Sequence, residues 1–249
     1  GSPGAGKSTL VDGLIALERR RGRKVAVVAV DPSSPFSGGA ILGDRLRMQT
    51  HATDPGVFIR SMASRGFLGG TAAATGDVIK VLDAAGYQTI FIETIGVGQT
   101  EIKIVELSDI VLLVLMPGAG DEIQAMKAGI MEIGDIFVIN KKDLPGAEKL
   151  LAEIEYILSF KESAGDPGRA RSGSGDNPIL MTSAVHEERM EQLIEAIDRY
   201  AGELAGSGGL AERRRFRLER ELLGILNRKV QELMDVHIEV SKQLPGWVG

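Results

Sequence analysis

The chain has 249 residues, of which 43% are hydrophobic and 25% are charged, a composition typical of a globular protein with one large α/β domain. The formal net charge of -5 leaves no excess of positive charge for phosphate neutralisation and argues against a nucleic-acid partner. The absence of cysteine excludes disulfides, iron–sulfur clusters and thiolate metal sites. The longest apolar run, residues 110–116, is far too short to cross a membrane.

Apolar stretches alternate with helical patterns along most of the chain. The stretches predicted as strands are rich in Val and Ile and almost continuously apolar, which is typical of strands covered on both faces: residues 24–30, 56–62, 88–93, 110–116, 135–140 and 178–183. The helices predicted between and after them are residues 7–21, 73–85, 101–107, 121–132, 146–160 and 187–201. The alternation predicts an α/β fold with a doubly wound, mostly parallel sheet of the P-loop NTPase type.

Two stretches interrupt this alternation. Residues 161–178 are rich in Gly, Ser and charge and are predicted to form a surface loop. Residues 202–212 are predicted to be a linker into one long helix, at about residues 211–242. We therefore divide the chain into a P-loop domain, residues 1–202, and a linker with a C-terminal helical arm, residues 203–249.

The sequence GSPGAGKST at the start of the chain fits the phosphate-binding pattern G-x-x-x-x-G-K-[ST]. In this pattern backbone N–H groups surround phosphate oxygens, Lys7 reaches the β- and γ-phosphates, and the Ser8 hydroxyl binds Mg²⁺. The nucleotide-binding residues predicted here are Gly1, Ser2, Pro3, Gly4, Ala5, Gly6, Lys7, Ser8 and Thr9. Gly-Ser is also a common remnant of an expression vector at the start of recombinant proteins. However, Gly1 occupies the first glycine position of G-x-x-x-x-G-K-[ST], which favours the phosphate loop.

This phosphate loop normally follows a β-strand, and no strand precedes Gly1 in the sequence. We therefore expect the first strand of the sheet to be missing and the domain to be N-terminally truncated. Loss of a central parallel strand would expose backbone groups and apolar surface on its neighbours. A protein with this boundary is expected to be unstable unless another segment fills the position.

The sequence NKKD, Asn140 to Asp143, follows a predicted strand and indicates a base-binding motif. In N-K-x-D, the Asp143 carboxylate accepts hydrogen bonds from guanine N1–H and the exocyclic amine. Asn140 bonds the N7 and O6 region, and the Lys141 stem lies over the base. Adenine has an acceptor in place of N1–H and would leave the carboxylate unpaired, at a cost of roughly 1–3 kcal/mol.

NKKD on its own could be an ordinary polar turn. The sequence TSA lies one strand later, at residues 182–184, and this spacing favours a guanine pocket over the turn. The residues predicted to complete the pocket are Ser183, Ala184 and Val185.

The segment IETIGVGQTE, residues 92–101, follows another predicted strand. Many GTPases carry D-x-x-G here, whereas this chain has Glu93 and Gly96. The Glu93 carboxylate can hold Mg²⁺ through a water, and the Gly96 N–H can contact the γ-phosphate. A strand-end acid followed by a turn glycine explains the same residues equally well.

A phosphate loop, a Glu at position 93 and an intact NKKD together resemble the SIMIBI class of P-loop GTPases, which serve metal and cofactor enzymes. Three longer motifs resemble the MeaB/ArgK GTPases, which associate with methylmalonyl-CoA mutase. These motifs are AVDPSSPFSGGAILGDRLRM at residues 29–48, ETIGVGQTE at residues 93–101 and PGAGDEIQAMKAGIMEI at residues 117–133. The resemblance covers about residues 1–200.

The resemblance implies three switch segments. Asp31 and Asp44 belong to the first switch and help to hold Mg²⁺, and Asp31 also closes a strand at the edge where such acids meet phosphate. Glu93 and Gly96 belong to the second switch. Residues 117–128, with Lys127, resemble a third switch that senses the partner. From the residues alone, Asp44 could instead cap a helix, and residues 117–128 could be a turn followed by a helix cap.

The site residues can then be assigned by role. The candidate catalytic residues are Lys7, Asp31, Glu93 and Gly96. The candidate metal-binding residues are Ser8, Asp31, Asp44 and Glu93. Val97 follows Gly96, where Ras-like enzymes carry the Gln that positions the attacking water, so slow intrinsic hydrolysis that a partner accelerates is expected.

The function implied by the resemblance is that of a GTPase chaperone. Such a protein gates adenosylcobalamin loading of an acyl-CoA mutase, such as methylmalonyl-CoA mutase, and protects it. Mg²⁺ and GTP or GDP are the implied ligands, and cobalamin is not bound directly. A bacterial or archaeal cytoplasm and a mitochondrial matrix both fit this role.

Three alternatives remain open at this point. A metallochaperone GTPase is disfavoured because such proteins carry Cys and His ligands, and this chain has no cysteine. A small-molecule kinase or transport ATPase is disfavoured by NKKD. A nucleotide-dependent scaffold with little turnover is compatible with Val97.

The last predicted helix carries a narrow apolar seam suited to pairing with another helix. The seam residues recur at spacings of seven, three and four: Phe216, Leu223, Leu226, Val230, Leu233 and His237. Packing of this helix on its own domain is equally compatible with the pattern. Members of the resembled family are dimers through a C-terminal arm, which favours a homodimer.

Overall fold

A computed structural model describes residues 1, 3–31, 49–51, 53–63, 70–94, 107–118, 131, 133–164 and 177–243. The strands are β1 (Val25–Asp31), β2 (Val57–Ala63), β3 (Thr89–Thr94), β4 (Leu112–Leu115), β5 (Ile136–Ile139) and β6 (Ile179–Met181). The helices are α1 (Lys7–Arg20), α2 (Gly70–Ala84), α3 (Ala147–Ala164), α4 (Met190–Gly206) and α5 (Gly209–Gln243), with one 3₁₀ turn at Gln49–His51. All six predicted strands are present within a few residues of their predicted limits.

The strands form two three-stranded sheets in the orders β2-β1-β3 and β4-β5-β6, and every pairing is parallel. β1 and β5 are the central strands. Val25 to Val28 and Ile136 to Ile139 are fully buried, which explains why these two segments are continuously apolar in the sequence. The predicted parallel α/β fold is confirmed.

A cavity of about 880 Å³ lies between the two sheets and is lined by β3 and β4. Among the described strands, β3 pairs only with β1 and β4 only with β5. Gly1 lies at this cavity, and a side chain at this position would overlap the Val114 carbonyl. The cavity is therefore at the place where a strand leading into the phosphate loop would pair with both sheets.

Helices cover both faces of the β4-β5-β6 sheet. One face packs against α1 and α4 through Leu10, Leu14, Val114, Val138, Leu193 and Leu204. The other face packs against α3 through Leu113, Leu115, Phe137, Ile139, Leu150 and Ile154. This two-sided cover is the doubly wound arrangement predicted from the sequence.

Two predicted boundaries differ from the structure. α3 runs to Ala164, so the first residues assigned to a loop at 161–178 are helical, and residues 165–176 lie outside the described residues. Residues 202–212 are almost entirely helical, since α4 ends at Gly206 and α5 begins at Gly209. Ala, Leu and Glu in this stretch favour helix, and the chain reverses only where Gly208 adopts a φ of +80°.

Two predicted helices, at residues 101–107 and 121–132, lie almost wholly outside the described residues. None of the helices in the described part of the chain combines the length and apolar character needed to cross a bilayer.

Candidate nucleotide-binding site

The phosphate loop leads directly into the N-terminus of α1. Lys7 is the first helical residue, and its ammonium donates a hydrogen bond to the Gly1 carbonyl at 2.8 Å. The first turn of α1 contains no acidic residue. The helix itself therefore places no carboxylate at its positive end, and this arrangement favours phosphate binding in the loop.

Gly6 is required by the geometry of this loop. Its φ of +85° lies in the left-handed region, where a side chain is strained. A Cβ at this position would also overlap the side-chain amide of Asn140. The loop can therefore approach the base motif this closely only with glycine at position 6.

Ser8 and Glu93 meet at the end of β3. The Ser8 hydroxyl donates a hydrogen bond of 2.5 Å to the Glu93 carboxylate, and both residues are buried. The Glu93 backbone is aligned with Ala29 of β1, so it lies one residue from the end of that sheet. A hydroxyl and a carboxylate in contact beside a phosphate loop are the type of oxygen ligands that Mg²⁺ prefers.

Asn140 connects the base motif to the phosphate loop. Its amide nitrogen donates to the Ala5 carbonyl at 2.9 Å. Its amide oxygen accepts from the Ala184 N–H at 3.0 Å and from the Thr182 hydroxyl at 3.3 Å. With only 1% of its surface exposed, Asn140 joins three separate segments of the chain.

Asp143 is held by the segment that follows β6. The Ser183 hydroxyl donates to its carboxylate at 2.7 Å, and this hydrogen bond is the main reason that the pKa of Asp143 is lowered. The carboxylate therefore stays ionised, as required of an acceptor for two guanine N–H groups. Val185 lies beyond Ser183 with 71% of its surface exposed.

Lys141 adopts an unusual backbone conformation for a residue with a side chain, with a φ of 58°. Its ammonium lies 3.7 Å from the Met116 sulfur, and its side chain also approaches Gly6. The lysine stem thus runs from the base motif towards the phosphate loop. This is the course expected of a stem that lies over a bound base.

The structure brings together most, but not all, of the predicted site. Gly1, Lys7, Ser8 and Glu93 gather at the start of α1, and Asn140, Asp143 and Ser183 gather beside them. The backbone of Asp31 ends β1 at the same sheet edge as Glu93, but its side chain is not among the described atoms. Four further predicted residues lie outside the described residues: Ser2, Asp44, Gly96 and Lys127.

Several contributors to this site were not predicted from the sequence. Thr182 was noted only as part of TSA, yet its hydroxyl contacts Asn140. Lys142, the variable position of NKKD, forms an ion pair with Glu188. The motif pointed to Lys142, but no sequence signal marked Glu188, because the turn after β6 alone brings it back to the motif.

Comparison with known proteins decides the family. The profile of the family described as "Methylmalonyl Co-A mutase-associated GTPase MeaB" matches residues 1–238. The chain belongs to this family. It is a P-loop GTPase, as the motifs predicted.

Relatives with curated names agree with membership of the MeaB family. A putative GTPase of Pyrococcus horikoshii is 50% identical over 235 residues, covering 93% of this chain and 73% of that protein. GTPase ArgK of Escherichia coli is 38% identical over 212 residues, and the match covers 85% of this chain and 63% of that protein. The mitochondrial methylmalonic aciduria type A homolog of Caenorhabditis elegans is 32% identical over 247 residues, and the match covers 98% of this chain and 61% of that protein.

Solved structures share the fold of this MeaB-family chain. A structure described as LAO/AO transport system kinase matches with a TM-score of 0.70 at 27% identity, covering 97% of this chain and 70% of that one. HypB from Helicobacter pylori, in complex with nickel, matches with a TM-score of 0.54 at 16% identity, and the match covers 80% of this chain and 86% of that one. The second likeness concerns the fold alone.

Proposed function

We propose that this GTPase gates adenosylcobalamin loading of an acyl-CoA mutase, such as methylmalonyl-CoA mutase, and protects that mutase. The family description supports the mutase as partner, and the name of the C. elegans relative refers to methylmalonic aciduria. In this proposal the chain binds guanine nucleotide and leaves the cobalamin to the mutase. The role fits a bacterial or archaeal cytoplasm, or the mitochondrial matrix in a eukaryote.

The observation that carries the nucleotide half of the proposal is the hydrogen bond between Asn140 and Ala5. This bond fixes the distance between the base motif and the phosphate loop in a buried setting. A nucleotide that contacts both must therefore present its base and its phosphates at a set separation. Asp143, held by Ser183, then selects guanine because it can accept from both N1–H and the amine.

The phosphates are assigned to the loop and to the start of α1. Lys7 would exchange its hydrogen bond to the Gly1 carbonyl for oxygens of the β- and γ-phosphates, since its ammonium already lies within the loop. Gly96 is assigned to the γ-phosphate, and Asp31 to the Mg²⁺ ion beside it. Catalysis in such a site depends on positioning and on offsetting charge rather than on covalent chemistry.

The residues present fit a Mg²⁺ ion. The Ser8 hydroxyl and the Glu93 carboxylate lie 2.5 Å apart and are both buried, so two oxygen donors already converge beside the phosphate loop. Asp31 and Asp44 are proposed as further contributors. When bound, Mg²⁺ neutralises charge on the phosphate oxygens.

A homodimer through α5 is also part of the proposal. Among the seam residues with described side chains, Phe216, Leu223, Leu226, Val230 and Leu233 are each more than half exposed. A row of apolar side chains along one helix is stabilised when a second helix covers it. We therefore favour a second copy over packing of the seam on its own domain.

The test is a comparison of GTP hydrolysis with and without a purified adenosylcobalamin-dependent acyl-CoA mutase, with ATP as the control nucleotide. We expect slow turnover of GTP by the protein alone and a rise of at least tenfold when the mutase is added. ATP turnover should stay at background in both conditions. Adenosylcobalamin transfer to the mutase, followed by its absorbance, should depend on GTP.

Two results would count against the proposal. Equal and slow GTP turnover with and without the mutase would leave a guanine-binding scaffold with a different partner. Turnover of ATP at the rate of GTP would remove the guanine assignment of Asp143. Each result therefore separates one half of the proposal from the other.

A further inference from the structure

Lys142 and Glu188 form an ion pair that joins the two halves of the base pocket. Lys142 lies between Lys141 and Asp143 in the motif, and its ammonium contacts the Glu188 carboxylate. Lys142 is partly buried, with 25% of its side chain accessible, whereas Glu188 is exposed, with 50% of its side chain accessible. Neither residue belongs to the conserved letters of N-K-x-D, so the motif assigns them no role.

The backbone of Glu188 is fixed to Ser183. The Glu188 N–H donates to the Ser183 carbonyl at 3.0 Å, and the Ser183 N–H donates to the Glu188 carbonyl at 3.3 Å. Ser183 in turn holds Asp143 through its hydroxyl. Asp143, Ser183, Glu188 and Lys142 therefore form a closed ring of contacts, completed by the peptide bond between Lys142 and Asp143.

The turn within this ring needs support from outside. Glu187 and Arg189 both have a positive φ, at 54° and 60°, although neither is glycine. A left-handed conformation is unfavourable for a residue with a side chain. The Lys142 ion pair attaches the turn, between these two strained positions, to the base motif.

We propose that Lys142 and Glu188 are positioning residues for guanine, a clamp that holds Ser183 and Asp143 where they recognise the exocyclic amine of the base. The clamp acts through Asp143 and does not touch the nucleotide. The inference rests on the guanine site proposed above. Misplacement of the carboxylate by a fraction of an ångström weakens its hydrogen bonds, because their strength depends on distance and angle.

The experiment compares GDP, IDP and ADP binding by calorimetry in four variants. IDP lacks the exocyclic amine, so the ratio of GDP to IDP affinity measures how well Asp143 meets that group. Lys142→Met and Glu188→Gln each remove one charge and keep the side-chain length. The exchange K142E/E188K restores a pair of opposite charges, and Lys149→Met is the control, since it removes an exposed pair with Glu153.

We expect each single change to weaken GDP binding about three- to tenfold, IDP binding by a smaller factor because IDP keeps only the N1–H contact, and ADP binding less than twofold. The charge exchange should recover most of the GDP affinity, and Lys149→Met should match the wild type. A fall in melting temperature with an unchanged ratio of GDP to IDP affinity would overturn the inference, since the pair would then be merely structural. Glu188→Gln preserves the backbone bridge to Ser183, which guards against loss of the fold.

The wild-type protein itself separates this inference from the guanine assignment. Preference of the wild type for GDP over ADP, with no change in the variants, would overturn the clamp alone. Absence of that preference in the wild type would overturn the guanine pocket and the clamp together.

Discussion

Asn140 determines how the site is assembled, because one amide side chain serves two binding regions. Its nitrogen bonds the phosphate loop at Ala5, and its oxygen bonds the segment after β6 at Thr182 and Ala184. A buried amide with both atoms bonded is expensive to disturb, since any shift leaves a polar group unpaired. The base and phosphate regions should therefore respond together to changes at either one.

Gly6→Ala tests this coupling directly. The new methyl group would overlap the Asn140 amide, and the backbone would remain in a left-handed conformation. We expect GDP affinity to fall by at least 100-fold in a calorimetric titration. Base and phosphate contacts would both be lost, so inorganic phosphate analogues should also fail to bind.

Gly22→Ala is the matched control for Gly6→Ala. Gly22 also has a positive φ, of +76°, but nothing lies within 4 Å of its Cβ position. We expect a loss of roughly 1–2 kcal/mol in unfolding free energy from backbone strain, with GDP affinity unchanged. A similar loss of affinity in both variants would show that strain, rather than contact with Asn140, explains Gly6.

Asp143→Asn tests the base assignment. An amide cannot accept from both guanine N–H groups, and hydrogen bonds to a charged group contribute about 1.5–3 kcal/mol each. We expect GDP affinity to fall roughly 100-fold in the same titration. Ser183→Ala removes only the supporting hydroxyl and should cost less than about tenfold, so a larger effect of Ser183→Ala would contradict the assignment.

At the scale of elements, α5 is attached to the sheets by buried charge. The Arg213 guanidinium donates to both carboxylate oxygens of Asp135 at 2.9 and 3.0 Å, and to the Asp109 carbonyl at 2.8 Å. The Tyr200 hydroxyl also donates to Asp135. The side chains of Arg213, Asp135 and Tyr200 are each less than a tenth exposed, so this contact is buried.

Arg213→Met should therefore destabilise the protein strongly. The change leaves the Asp135 carboxylate buried without its cation, which costs about 3–5 kcal/mol. Urea denaturation followed by circular dichroism would measure the loss. Arg215→Met is the control, because its pair with Glu219 is exposed and should contribute under about 1 kcal/mol. Equal urea midpoints of unfolding for the two variants would contradict the role of Arg213 in stabilising the protein.

The exposed seam of α5 gives a test of the proposed dimer. Leu223→Lys places a charge in the seam, and Gln231→Lys places the same charge on the outer face of the same helix. We expect sedimentation analysis to give a monomer for Leu223→Lys and a dimer for Gln231→Lys and the wild type. A monomeric wild type at tens of micromolar would argue for another partner on this surface.

At the scale of the whole molecule, acid should weaken the attachment of α5. Burial opposes ionisation of Asp109, but hydrogen bonds from Arg214 and Arg217 more than offset it, so the pKa of Asp109 is lowered. Because the folded pKa lies below the unfolded one, this stabilisation is complete above about pH 4 and is lost as the pH falls through the folded pKa.

Urea unfolding between pH 6 and pH 2.5 would show this dependence. The wild type should lose unfolding free energy steeply below about pH 4. Asp109→Asn should be less stable at pH 6 and should lose less on acidification. Asp77→Asn, at a carboxylate with 74% of its side chain exposed, should follow the wild-type curve. Parallel curves for all three proteins would show that Asp109 does not contribute to the acid sensitivity.

The limits of sequence prediction follow the range of the interactions involved. β1 and β5 were predicted because they are buried on both faces and must be apolar throughout. The stretch at 202–212 was misjudged because its glycines suggest a linker, whereas one left-handed residue at Gly208 is enough to turn the chain between α4 and α5. The sequence also gave no sign that Arg213 would be buried.

Local patterns by themselves determined the fold class, the phosphate loop, the base motif and the family of this protein. These features are encoded by neighbouring residues, since a glycine turn, a helix start or a buried strand requires its residue types at fixed spacing. Tertiary structure alone decided that Asn140 contacts Ala5, that Glu188 returns to Lys142 and that Arg213 meets Asp135. Each of these partners is brought into contact by the turn after β6 or by the packing of strands and helices, and no spacing within a single segment specifies that arrangement.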